Sequence, residues 1–265
     1  MSNKTLVILI IIIIAVGAGL AWFFYWQQTK PLVVSDNSQQ NQQAQNTQPT
    51  NQDLNPQPMT SSTTPTSTPP TETAANGQCV RNFDQAKLSS NGNIKISGRT
   101  VQLNVKGFGL INLEFYDKDA PKTVENFLRL ADSGYYNCLT VHRVSKGFVI
   151  QAGDPNGNGT GGFSAFGPTF ADELDPNTSS AKAGYLKGIL AMANSGPNTN
   201  GSQFFIMLGD APQMPHLYTI FGKVSSGLDV VDKIGQVAII PNPQMGPTDG
   251  APVTPVVMTS VKIIK

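Results

Sequence analysis

Charge is scarce in this chain. Its 265 residues hold 18 Lys and Arg against 17 Asp and Glu, a formal net charge of +1, so no basic stripe marks it as a nucleic-acid binder. Histidine and cysteine are scarcer, two of each. They stand at no metal-ligand spacing, which disfavours a zinc centre, and no Ser/His/Asp or Cys/His constellation of a covalent catalyst is visible. Cys79 and Cys138 could bridge in an oxidising compartment or remain free thiols, and the sequence leaves both readings open.

The shortage of charge is most extreme at the N-terminus. Positions 5–29 carry none, and the 21 residues 6–26 are apolar apart from two glycines. As a helix they would rise about 31 Å, close to the hydrocarbon thickness of a bilayer. Trp22-Phe23-Phe24-Tyr25-Trp26 falls where an interfacial aromatic belt belongs. The expectation is a transmembrane anchor over 1–30, with the rest outside the cytoplasm if Lys4 stays inside. A cleaved signal peptide, cut among the small residues of 15–21, is the competing reading. Large apolar side chains then thin out over 31–77, where Gln, Asn, Thr, Ser and Pro dominate. Such a stretch cannot bury enough surface to offset its ordering entropy. It reads as a disordered linker with an end-to-end distance of about 40 Å. A folded domain is expected over 78–265, its core from about residue 100.

Within that domain, 139–144 and 148–151 are β-rich runs around a Ser-Lys-Gly turn, hence adjacent antiparallel strands. Alternation places Arg143 with Val141 on one face, His142 with Val144 on the other, and Val149 with Gln151 together. A guanidinium, an amide and apolar neighbours, with no carboxylate in the local sequence, suit a groove better than a core. On the same alternation His142 reads as a core or supporting histidine. Residues 101–105 and 110–115 form a hairpin about Gly107-Phe108-Gly109. Pro121, after Asp119 as cap, opens a helix whose Val124, Phe127, Leu128 and Ala131 share one face until Gly134 ends it. A second short helix fits 228–234. Many strands and two helices imply a β-barrel or sandwich with helical covers. Gly157-Asn158-Gly159-Thr160-Gly161-Gly162 has the G-x-G-x-x-G form, yet no helix follows to hold a pyrophosphate, so nucleotide binding is not expected.

Four motifs in order resemble the cyclophilin peptidyl-prolyl isomerases. They are Ala120-Pro121-Lys122-Thr123-Val124-Glu125-Asn126-Phe127; His142-Arg143-Val144 with Gly147-Phe148-Val149-Ile150-Gln151-Ala152-Gly153-Asp154; the run from Gly188-Ile189-Leu190-Ala191-Met192-Ala193 to Gly201-Ser202-Gln203-Phe204-Phe205-Ile206; and Phe221-Gly222-Lys223-Val224. The resemblance implies a mainly β fold, an eight-stranded antiparallel barrel capped by two helices. It also implies cis-trans isomerisation of X-Pro bonds, with no cofactor or metal.

By that resemblance Arg143 is the catalytic donor, supported by Gln151 and Phe148. Phe148, Val149, Phe205 and Met214 wall the proline pocket, and Gln151 and Gln203 offer amides. Gly159 and Thr160 border the peptide groove, while the backbone of Ala193, Asn194 and Ser195 bonds an extended peptide. Tyr218 stands where many members have His, a choice familiar among bacterial-type members. Gln213 replaces a Trp, which puts cyclosporin binding in doubt more than catalysis. The expected partners are proline-containing segments of unfolded extracytoplasmic proteins, met by a single, membrane-tethered chain. A proline-peptide binding module of low turnover, or a tethered scaffold, is the alternative.

Overall fold

Alternating side chains build most of this fold, because nearly every strand presents one row to the core. The computed structural model describes residues 79–89 and 94–265; the expected anchor at 1–30 and linker at 31–77 lie outside them. Among the described residues no helix is long and apolar enough to cross a membrane. After the short helix α1 (Gln85–Ser89), β1 (Thr100–Val105) and β2 (Gly109–Phe115) form the expected hairpin, and α2 (Pro121–Asp132) follows. Next come β3 (Leu139–Val141), β4 (Arg143–Ser145), β5 (Val149–Ala152), α3 (Ser179–Ala183), β6 (Ile189–Met192), β7 (Phe204–Met207) and β8 (Ile220–Ser226). The chain ends through α4 (Leu228–Gly235), β9 (Ile239–Asn242), β10 (Gly246–Pro252) and β11 (Val256–Ile263).

All strands join one antiparallel sheet in the order β3-β11-β1-β2-β8-β6-β7-β5-β4-β10-β9. β3 lies at one end of that order and β4 near the other, yet only His142 separates them in the chain. The sheet therefore curls back on itself at that residue. Among the described residues eleven strands stand where eight were expected. One expected strand is broken at His142 into β3 and β4, and β9 and β10 are an additional hairpin bonded to the outer edge of β4. Among the described residues four helices replace the expected two, the added pair being pieces of five residues.

The core gathers on the inner face. Helix α2 buries Val124, Phe127, Leu128 and Ala131 as its spacing requires, and Phe127 meets Tyr136 and Phe204 at 4.9 and 5.3 Å between ring centroids. Burial of such side chains contributes roughly 1.5–3 kcal/mol each. Asp119 does not cap α2. Its carboxylate accepts the N–H of Ser180 at the start of α3, while Glu173 takes the N–H groups of Lys122 and Thr123 at 3.0 and 2.8 Å. A carboxylate from a distant loop thus satisfies the orphan donors of the helix. Strand β7 splits its side chains cleanly: Phe204 and Ile206 enter the main core, and Phe205 and Met207 join Val149, Ile189 and Ile220 in a second cluster. That second cluster is the floor of the site described next.

Cys79 and Cys138 are bonded to each other, their Cα atoms 5.5 Å apart. The bond fixes the segment before α1 against the start of β3. Around it Asp84 donates its N–H to the Ser133 carbonyl and Asn137 donates to Asn82.

Candidate functional site

Strand pairing carries Arg143, Gln151 and Phe205 into one row. Arg143 faces Gln151 across β4 and β5, and Gln151 faces Phe205 across β5 and β7. Every residue expected to build the groove lines one of two adjoining hollows. The first, of about 740 Å³, takes Arg143, Phe148, Val149, Gly159, Phe205, Met214 and Tyr218. The second, of about 500 Å³, takes Thr160, Ser195 and Gln203. Gln151, Ala193 and Asn194 border both. The apolar part is graded in depth. Val149 and Phe205 are buried, whereas Phe148 is 36% exposed and presents its ring to the opening. Tyr218 stands edge-on to Phe205, centroids 5.6 Å apart, the geometry that aromatic quadrupoles favour.

The polar part is one continuous hydrogen-bonded chain. Arg143 NH1 donates to Gln151 Oε1 at 3.0 Å, and Gln151 Nε2 donates to Gln203 Oε1 at 3.0 Å. Gln203 Nε2 then donates to the carbonyls of Gly159 and Gly161 at 3.0 and 2.8 Å. Each amide orientation is fixed by its neighbours, so the network rigidifies the groove floor. It also ties the glycine turn to the sheet. From below, the Asp154 carboxylate accepts the N–H groups of Asn156, Asn158 and Gly159 at 2.8, 2.9 and 2.5 Å. Burial alone would raise the Asp154 carboxyl, but these bonds hold it below the usual range. Two donors of the G-x-G-x-x-G run, the N–H groups of Asn158 and Gly159, thus face an internal carboxylate, and that of Thr160 is taken by the Asn158 side chain. Gly153 permits the turn: its φ is +92°, and a Cβ there would collide with the Ser202 carbonyl.

Two features escaped the sequence reading. Asp249, on β10, is the carboxylate that the local sequence lacks. It accepts from Arg143 Nε at 2.8 Å and from Arg143 NH2 at 2.6 Å. Burial would raise the Asp249 carboxyl, yet hydrogen bonds from Arg143 and Ser145 hold it below the ordinary carboxylate range. Ile240 and Met245 of the same hairpin, each more than half exposed, line the first hollow beside Arg143. The second feature is His142. Alternation pointed it away from Arg143, but the break between β3 and β4 lets both line the same hollow. It is buried, and neither ring nitrogen has a hydrogen-bond partner among the described residues. Burial lowers its pKa; nearby Asp154 opposes that and Arg143 adds to it.

Such a site offers an apolar cup, a fixed guanidinium beside it and no nucleophile–base pair. It can hold a compact apolar ring and donate hydrogen bonds to an acceptor atom at the ring's edge. Among the described residues no His, Cys, Asp and Glu cluster is placed to hold a metal ion.

Comparison with known proteins agrees with this chemistry. A human protein named peptidyl-prolyl cis-trans isomerase-like 1 is 48% identical over 157 residues, 59% of this chain and 85% of the relative. The protein of the same name from Aspergillus niger is 47% identical over 142 residues, 54% of this chain and 84% of the relative. The crystal structure of a Cryptosporidium parvum cyclophilin-type peptidyl-prolyl cis-trans isomerase superposes with a TM-score of 0.56 at 34% identity, over 63% of this chain and 98% of that one. A second crystal structure of that protein, in the presence of the dipeptide Ala-Pro, gives the same TM-score and identity. Residues 100–263 match the family model described as cyclophilin type peptidyl-prolyl cis-trans isomerase/CLD, and the chain belongs to that family of enzymes.

Proposed function

We propose that this isomerase acts on X-Pro bonds of proteins outside the cytoplasm, as a single membrane-tethered chain with Arg143 as its transition-state donor. Rotating a peptide bond makes and breaks no covalent bond. The barrier, about 18–20 kcal/mol, is the amide resonance lost at the twisted geometry. There the prolyl nitrogen becomes pyramidal and gains a basic lone pair. A donor aimed at it strengthens only as the bond twists, which is the requirement for catalysis. One observation carries the assignment: the Arg143 guanidinium is fixed by Gln151 beside the cup of Phe148, Val149, Phe205 and Met214.

The proline ring seats in that cup, and the residues before it run toward the second hollow. The N–H groups of Ala193 and Ser195 bond Gln203 and Thr199. Strand-like bonding of a peptide is left to the Asn194 N–H as donor and to the carbonyls of Ala193, Asn194 and Ser195 as acceptors. Gly159 and Thr160 border its far end. That proline-containing peptides are the substrates accords with the Ala-Pro dipeptide used with the Cryptosporidium relative. Placement outside the cytoplasm is supported by the Cys79–Cys138 bond, since disulfides persist in oxidising compartments. The uncharged run at 6–26 supports the tether.

Isomerisation kinetics of Arg143→Ala test the assignment. Losing one such donor costs about 2.7–4 kcal/mol, or roughly 10²–10³ in turnover, while affinity for a proline peptide should change far less. Arg143→Lys should recover only part, because a point charge lacks the planar fork. Equal losses in turnover and affinity would make Arg143 a docking residue.

A further inference from the structure

We propose that Asp249, presented by the β9–β10 hairpin, is a positioning residue that sets the Arg143 guanidinium in its working orientation. The proposal rests on the reading of Arg143 as donor to the prolyl nitrogen. A guanidinium has five N–H donors in a rigid plane. Asp249 takes one on Nε and one on NH2, as a two-point fork, and Gln151 takes one on NH1. Each terminal nitrogen keeps one further N–H. Three contacts on two sides fix both the position and the tilt of the plane, which neither partner could do alone.

Register explains how a residue 106 positions away reaches Arg143. Asp249 lies opposite Ser145 in the β10–β4 pair. Arg143 is two residues from Ser145, so it shares that face and meets Asp249 diagonally. The Asp249 side chain is 7% exposed and that of Arg143 25%. The carboxylate thus grips the guanidinium from the protein side and leaves the arginine open to the groove. The price is charge: a carboxylate at this distance damps the field of the cation. Orientation of a donor matters more here than its net charge, because a directed N–H must meet a lone pair that forms only in the twisted state.

The rival role is a plain ion pair stitching the hairpin to β4, and a double-mutant cycle separates the two. Full-length wild type, Asp249→Ala, Asp249→Asn, Asp249→Glu, Arg143→Ala and the double Ala variant are compared in an isomerisation assay and in proline-peptide binding. Circular dichroism and thermal melting are recorded alongside. Asp249→Ala is expected to lower kcat/KM roughly 10- to 100-fold, the scale of a misplaced catalytic group, mostly in kcat. Peptide affinity should hold, and Asp249→Glu should recover part of the loss. In the Arg143→Ala background the Asp249 effect should shrink to less than about twofold, because non-additivity marks residues acting as a unit. The same loss in both backgrounds, no loss, or an equal loss of affinity would overturn the proposal. If the Ala variant does not fold, the isosteric Asn variant carries the same comparison. Full turnover in Arg143→Ala would sink the donor reading itself. An inactive Arg143→Ala beside a fully active Asp249→Ala would sink only the positioning.

Discussion

At the scale of the residue, His142 shows how one break in a strand alters a site. It stands between β3 and β4 and donates its backbone N–H to the Gln151 carbonyl, and it lines the groove instead of alternating away from it. Burial, aided by Arg143 and opposed by Asp154, lowers its pKa. The unfolded chain then binds a proton near pH 6.5 that the folded protein takes up only at lower pH. Stability is therefore complete above about pH 6.5 and is lost as pH falls through that value toward the folded pKa. Asp154 and Asp249 follow the same sign in a lower window: both are depressed, so their contribution persists down to about pH 3.9 and fades below it. Urea midpoints of wild type and His142→Gln between pH 7.5 and 5 should diverge, the variant showing the flatter slope. Parallel slopes would mean that His142 charges freely in the folded state.

Among the elements, legibility followed local pattern. The β1–β2 hairpin, α2 and α4 were readable because period and punctuation agree within a few residues. The β9–β10 hairpin was not. Pro241, Pro243, Pro247 and Pro252 interrupt it, and proline within a run argues against a strand unless it lies at an edge. β9 is that edge. Asp249 went unread for the same reason, since nothing near Arg143 in the sequence points to a partner so far along the chain. The groove wall from β5 and β7 came from motif matches, whereas the wall from the hairpin needed the fold. Gly250 is where this element is most exposed to substitution. It pairs with Val144 on one side and Pro241 on the other, and an added Cβ would collide with the Ile240 carbonyl. Backbone cannot yield as a side chain tip can, so Gly250→Ala should push β9 outward and loosen the adjacent Asp249 fork. The expected outcome is a kcat/KM approaching that of Asp249→Ala, with the sheet still folded by circular dichroism. Wild-type rates in Gly250→Ala would show that the hairpin adjusts without moving Asp249.

For the molecule as a whole, the proposed tether and the proposed placement outside the cytoplasm are open to one experiment. Two independent features bear on them. The run at 6–26 is long enough to span a bilayer as a helix. The disulfide joins Cys79, at the start of the domain, to Cys138 at the start of β3. A cross-link of this kind contributes about 2–4 kcal/mol. It also has a mechanical consequence: a pull from the N-terminal side meets a covalent bond before it reaches α1. None of the residues at 79–89 lines the groove, so the bond should protect the fold without touching turnover. A protease added to intact cells is expected to cut within 31–77 and release an active isomerase fragment. Denatured under alkylating conditions, that fragment should show no reactive thiol until it is reduced. Each alternative has its own signature in the same experiment. Active protein in the medium before any protease is added would mean a cleaved signal. Protection of the whole chain, with both cysteines alkylated directly, would place the domain in a reducing compartment and remove the tethered, extracytoplasmic reading while leaving the isomerase intact.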